Sequence, residues 1–116
     1  VAPEQIHMPD KYLRGEEKLI DLTDEILATS DVIYDTRVQE ERFEDRAEYE
    51  RLKSAYIFDG EKVGKMREDA ILMHPLPRIT EITQEVDQLP QAKYFEQAKN
   101  GIPTRMALTA RALDLV

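Results

Sequence analysis

The sequence predicts an α/β protein built on an open parallel sheet of about four strands, with flanking helices and a helical C-terminal part. Three observations carry this. Short apolar runs recur at residues 18–21 (KLID), 32–35 (VIYD), 55–58 (AYIF) and 70–73 (AILM). Each has the length of a strand. Stretches with helical spacing separate them, and that alternation is the mark of βαβ units sharing a parallel sheet. Two of the runs, VIYD and AILM, lead into loops of unusual composition, at the carboxyl ends where open α/β sheets bind ligands.

In order, residues 1–2 read as the end of a strand that begins earlier in a longer polypeptide, a possible fifth strand. Residues 18–21 form the next strand. Thr23 and Asp24 suit a helix N-cap, and the helix over 23–29 turns Ile26 and Leu27 inward. Residues 32–35 form a strand, and a charged stretch follows over 37–45. The spacing predicts a helix over 47–53, with Tyr49, Leu52 and Tyr56 on one stripe. Residues 55–58 form the third strand. Asp59-Gly60 leaves a hairpin turn and a helix cap open. Residues 61–68, with Val63 and Met66 three apart, favour the cap. After the fourth strand at 70–73 the chain reads as helical. Pro90 takes a first helical position, Gly101 stops that helix, and Pro103 restarts one carrying Met106, Ala110 and Leu113 in an apolar row.

The 116 residues suit a single domain over 1–116, and the net charge of −8 argues against nucleic-acid or anionic-membrane partners. There is no cysteine, which excludes disulfides, thiolate catalysis and cysteine-ligated zinc. With only His7 and His74, a histidine-rich metal site is excluded as well. No cofactor motif appears. Gly60-x-x-x-Gly64 lacks the GKS or GKT ending of a phosphate loop. Asp35 ends a strand but lacks the acidic neighbours and the lysine of a phosphoacceptor site. His7 reads as structural, and the acidic residues of 40–50 as a solvated face. No apolar stretch approaches membrane-spanning length, so the expected compartment is the cytoplasm.

Two loops carry the candidate chemistry. In TRVQEER, residues 36–42, Arg37 offers a planar fork of donors suited to a carboxylate or phosphate. Gln39 points the same way if the chain stays extended, and Glu41 could hold Arg37 from behind. A solvated loop of weak surface ion pairs is the competing account. In HPLPR, residues 74–78, two prolines remove backbone donors and leave a rigid row of carbonyls. Such a row suits a ligand that brings N–H groups. A plain stop between strand and helix, with His74 and Arg78 bonding the local backbone, is the alternative.

The two loops occur in a larger ordered set. TRVQ followed by ER, then MHPLPR at 73–78, then Tyr94-Phe95-x-Gln97-Ala98-x-Asn100-Gly101 and Arg105-Met106-Ala107-Leu108, with MPD at 8–10, closely resembles the aspartate carbamoyltransferase catalytic-chain family. The resemblance covers essentially the whole chain. HPLP, with proline rather than cysteine after the histidine, points to the aspartate enzymes over their ornithine relatives.

The resemblance implies most of the aspartate-binding domain plus the closing C-terminal helix. It implies transfer of the carbamoyl group of carbamoyl phosphate to L-aspartate, in de novo pyrimidine biosynthesis, with no metal or other cofactor. By residue, it implies that Arg37 and Gln39 bind aspartate and that Glu41 holds Arg37. Pro75, Leu76 and Pro77 then form the carbamoyl phosphate side, with the Leu76–Pro77 bond cis. His74 and Arg78 support that turn. The partners the resemblance implies are an upstream carbamoyl-phosphate domain, a homotrimer and regulatory chains. The phosphate-gripping Ser-Thr-Arg-Thr loop of the family is not in this sequence, so no catalytic group is assigned and these 116 residues are expected to be inactive alone. A non-catalytic assembly or ligand-binding domain of the same family is the alternative. Two departures stand out: Asp35 replaces a usual apolar residue, and Thr80 a frequent acid.

Overall fold

A computed structural model describes residues 22–53 and 57–115. The expected strands at 1–2 and 18–21, and half of the one at 55–58, lie outside the described residues. So do His7 and part of the stripe running from Tyr49 to Tyr56.

The first helix, α1 (Asp24–Thr29), starts as expected, with the Thr23 side chain accepting a bond from the Ile26 N–H. Leu27 is buried and Ile26 half-buried. The chain then enters β1 (Val32–Tyr34). After a short 3₁₀ turn at Glu40–Arg42, α2 (Arg46–Leu52) is capped by the Asp45 carboxylate on the Ala47 N–H, 2.8 Å away. Asp59 caps α3 (Gly60–Val63) through the Lys62 N–H, so DG here starts a helix rather than turning a hairpin. That helix is shorter than the 61–68 expected. It ends at Gly64, and tight turns still bring Met66 into the core beside Val63.

β1 pairs in parallel with β2 (Ile71–Met73), in the register Val32↔Ile71, Ile33↔Leu72 and Tyr34↔Met73. These two are the only paired strands among the described residues, fewer than the four expected. The rest of the extended structure consists of single parallel bridges, Phe58↔Ile82 and Leu72↔Ala92. Phe58 donates to the Glu81 carbonyl and accepts from the Thr83 N–H, at 2.7 and 2.9 Å. Leu72 makes the equivalent bonds with Gln91 and Lys93.

Those bridges explain why the chain after HPLPR is not helical throughout. Residues near 82 and 92 satisfy their backbone groups by lying beside Phe58 and Leu72, which a helix could not do. Between them is a 3₁₀ segment at Gln84–Gln88. Pro90 therefore sits in a turn and not at a helix start. The long helix, α4 (Tyr94–Ala112), begins four residues later.

α4 also runs straight through Gly101 and Pro103, where a stop and a restart were expected. Proline removes one N–H from the ladder and crowds the preceding turn. Side chains reinforce that turn: Thr104 Oγ1 donates to the Asn100 carbonyl at 2.8 Å and Arg105 Nη1 to that of Gly101 at 3.3 Å. The helix closes with Asp114 in the left-handed region, the Leu115 N–H on the Ala110 carbonyl and the Asp114 N–H on that of Arg111. This paired closure satisfies two of the last carbonyls.

Leu72, Val63, Val86 and Tyr94 have no exposed surface, and Leu27, Phe58, Met66, Ala70 and Ile82 complete the core. Each of the larger apolar side chains contributes roughly 1.5–3 kcal/mol by burial. The core lies under the carboxyl end of β2 and fixes where the loop after it begins. The far half of α4 packs on none of it: Ile102, Met106, Leu108 and Leu113 are all exposed. Among the described residues no helix is long and apolar enough to cross a membrane.

Candidate functional site

Because β1 and β2 are hydrogen-bonded neighbours running the same way, both expected loops leave the sheet from one edge. The Asp35 N–H extends the ladder, donating to the Met73 carbonyl at 3.0 Å. TRVQEER and HPLPR therefore start side by side.

The HPLPR turn is anchored through His74, the Leu76 N–H and Arg78. His74 is 1% exposed. Its backbone N–H donates to Gln97 Oε1 on α4, and Gln97 Nε2 donates to the Tyr34 hydroxyl on β1. One side chain thus ties the helix to the ends of both strands. His74 Nδ1 accepts the Leu76 N–H at 2.9 Å. Leu76 has φ of 52°, in the left-handed region, and the Leu76–Pro77 peptide is cis. A non-glycine residue there costs on the order of 1–2 kcal/mol. The bond to His74 and the packing of Leu76 against the core offset that cost. Pro75 and Pro77 are exposed on either side.

Arg78 turns back into the fold. Its Nη2 donates to Asp87 Oδ2 at 2.7 Å, its Nη1 donates to Asp87 Oδ1, and Nη1 also reaches the Tyr94 hydroxyl at 2.9 Å. The Tyr94 hydroxyl in turn donates to Asp87 Oδ1. The guanidinium lies 5.3 Å from the Tyr94 ring centre. Arg78 holds the Asp87 carboxyl below the usual carboxylate range. Burial first, and then Asp87, pushes the Tyr94 hydroxyl up to about 12. Arg78 is thus a brace for the turn, with both of its terminal nitrogens engaged.

A second group of polar side chains is buried behind the turn. Glu81 Oε2 accepts the Ile79 and Thr80 N–H groups at 3.1 and 2.9 Å. Its Oε1 lies 3.1 Å from His74 Nε2, off the line of an ideal hydrogen bond, and neither atom has another partner among the described residues. Burial works to raise the Glu81 pKa, but the backbone N–H groups around it and His74 outweigh it, and the net shift is downward. Burial lowers that of His74, against the pull of Glu81. Asp35, beside them, has a buried Oδ2 with no partner among the described residues, and burial, then the Glu81 charge, raises its pKa to about 7. Two nearby carboxyls are therefore driven apart: Glu81 is ionised, and Asp35 tends to keep its proton.

The other loop is built differently. Arg37 is half-buried, while Gln39 and Glu41 are exposed. Gln39 precedes the Glu40–Arg42 turn, which the Phe43 N–H closes onto the Glu40 carbonyl. Among the described residues there is no ion pair between Arg37 and Glu41, and no side-chain bond to Arg37 or Gln39. An open groove of about 390 Å³ lies between Met73 at the end of β2 and Gln97, Asn100, Gly101, Thr104 and Arg105 of α4. Among the described residues no cluster of three or more metal-ligating side chains occurs.

Sequence reasoning missed Glu81, Asp87, Tyr94 and Gln97 as parts of the site's scaffold. Only Gln97 and Tyr94 lay within a quoted motif. Glu81 and Asp87 read as two more acids in an acidic chain, and nothing in their spacing marked them as buried.

Comparison with known proteins adds a family. Residues 2–111 match the model of the aspartate/ornithine carbamoyltransferase Asp/Orn-binding domain. The chain is 46% identical to the aspartate carbamoyltransferase catalytic subunit of Thermoplasma acidophilum, over 97% of this chain and 39% of that one. It superposes on the aspartate transcarbamoylase of Trypanosoma cruzi in complex with carbamoyl aspartate and phosphate. There the TM-score is 0.79 and the identity 36%, over 94% of this chain and 38% of that one. The catalytic subunit of M. jannaschii aspartate transcarbamoylase gives a TM-score of 0.66 at 48% identity, over 87% and 32%. The chain spans about two-fifths of the length of the Thermoplasma relative.

Proposed function

This chain belongs to the aspartate/ornithine carbamoyltransferase family, within its Asp/Orn-binding domain, and from that membership we propose that it forms the aspartate side of an aspartate carbamoyltransferase. The observation that carries the reading is the parallel pairing of β1 with β2, which starts a loop with a donor fork beside a turn rich in acceptors. The neighbours solved with carbamoyl phosphate and aspartate, and with carbamoyl aspartate and phosphate, support the choice of substrates.

In this reading, Arg37 pairs with a carboxylate of L-aspartate through two parallel N–H···O bonds, and Gln39 supplies a further donor beside it. The carbonyls of Pro75 and Leu76 accept the N–H groups of the carbamoyl moiety, with Pro77 closing the turn. Aspartate's neutral amine attacks the carbamoyl carbon. The new N–C bond forms, the C–O bond to phosphate breaks, and phosphate leaves with the electron pair. The amine's proton passes to the departing phosphate as carbamoyl aspartate forms. This chain contributes mainly position: it fixes the amide plane and holds the nucleophile against it. Glu41 steadies Arg37 once ligand orders the loop, and His74 and Arg78 hold the turn.

The phosphate grip and the remaining aspartate contacts belong to a carbamoyl-phosphate domain upstream of residues 1–116, and the whole acts as a cytoplasmic homotrimer in pyrimidine biosynthesis. The exposed apolar residues of α4 suit packing against that domain. The test replaces the matching segment of the Thermoplasma acidophilum catalytic subunit with residues 1–116. Carbamoyl aspartate formation by the chimera, and none by the 116-residue chain alone, is the expected result. A folded but inactive chimera would favour a non-catalytic domain.

A further inference from the structure

The HPLPR turn depends on which nitrogen of His74 carries its proton. Nδ1 accepts the Leu76 N–H, so it must be bare. The proton then sits on Nε2, and among the described residues the acceptor within ion-pair reach of Nε2 is Glu81 Oε1, at 3.1 Å and off the line of an ideal hydrogen bond. Glu81 is itself oriented, because its other oxygen takes the Ile79 and Thr80 N–H groups. All of this is buried, with His74 1% and Glu81 6% exposed, so water is poorly placed to substitute.

We propose that Glu81 is a positioning residue for the carbamoyl-accepting turn. By facing His74 Nε2 with an acceptor it selects the tautomer whose bare Nδ1 holds the Leu76 N–H, and so keeps Leu76 in its left-handed conformation with its carbonyl available to ligand. This rests on the functional reading above, but the tautomer itself does not.

Glu81→Gln separates this from simple packing, because the two side chains have nearly the same shape. The Gln oxygen is held by the Ile79 and Thr80 N–H groups, so its NH₂ group must face His74 Nε2. Nε2 then has to accept, the proton moves to Nδ1, and two donors oppose each other at Leu76. His74→Asn supplies the control. Its Oδ1 takes the place of Nδ1 and accepts the Leu76 N–H whatever residue 81 is.

The first readout is the tautomer, from long-range ¹H–¹⁵N correlations of the 116-residue chain, in which the other histidine is His7. His74 protonated on Nε2 in the parent chain is expected, and protonation on Nδ1 overturns the proposal whether or not any variant folds. The second readout uses the active chimera. Glu81→Gln lowers kcat/KM for carbamoyl phosphate roughly tenfold to a hundredfold, and the same change in the His74→Asn background lowers it by less than about threefold. Equal losses in both backgrounds would make Glu81 structural only and overturn the proposal. If the parent chimera does not turn over, the functional reading fails, and the tautomer still decides this one.

Discussion

The two loops at the edge of the sheet start next to each other and are built on opposite principles. The HPLPR turn is held by His74, Gln97, Arg78, Asp87 and Glu81, most of them buried or half-buried. The TRVQEER loop has Arg37 half-buried, Gln39 and Glu41 exposed, and no side-chain bond to Arg37 or Gln39 among the described residues. Under the proposed function, the difference follows from what each would bind. A carbonyl acceptor cannot reach for its ligand, so its backbone must be set beforehand, at a cost in stability met by the scaffold. A guanidinium on a long side chain can reach, so its loop needs no such fixing.

The comparison is broken most sharply by Arg37→Ala. In an active chimera this should lower kcat/KM for aspartate by roughly 10²–10³-fold, the loss of a charge-assisted pair. The urea midpoint should scarcely move, since Arg37 supports no described part of the fold. Steady-state kinetics and a denaturation curve on the same sample check both halves. A large loss of stability would mean that the loop is scaffold after all.

Asp87→Ala should do the reverse. It strips Arg78 and the buried Tyr94 hydroxyl of their acceptor at once. The expected cost is about 2–3 kcal/mol of stability by urea unfolding, discounted because Arg78 keeps some access to water.

Asp35→Asn tests the strand end from which the TRVQEER loop departs. The folded state raises the Asp35 pKa from 3.8 to about 7, so it binds the proton more tightly than the unfolded chain does. The stability this provides is full below pH 4 and is lost as pH rises through 7. Asparagine removes that loss. The variant should be more stable than the parent by about 1–2 kcal/mol at pH 8, and no more stable near pH 4. Thermal unfolding at the two values measures it, and equal shifts at both would contradict the burial of an unpaired acid.

Gln97→Ala is expected to have the smallest effect, about 1 kcal/mol by urea unfolding. It removes one tie to the His74 N–H and one to the Tyr34 hydroxyl, without exposing a charge.

The contrast between the loops also governs how much was legible in the sequence. VIYD and AILM declared themselves as strands, and Thr23 and Asp59 as caps, because composition and spacing act locally there. What failed to show was non-local. Ile82 and Ala92 carry no strand pattern of their own; they are extended because Phe58 and Leu72 offer them backbone partners. Gly101 and Pro103 read as breaks, but Thr104 and Arg105 bridge the turn they weaken. Glu81 and Asp87 look like surface acids until the fold buries them against His74 and Arg78. The family motif located the turn. The groups that hold it were visible only in three dimensions.

Amide hydrogen exchange of the ligand-free chain tests the central claim most directly. The Leu76 N–H, held by His74 Nδ1, should exchange slowly, on the scale of the amides of β2, while those of Arg37 and Gln39 exchange as fast as open loop. Comparable exchange at Leu76 and Arg37 would contradict a preset acceptor turn beside an adaptable grip.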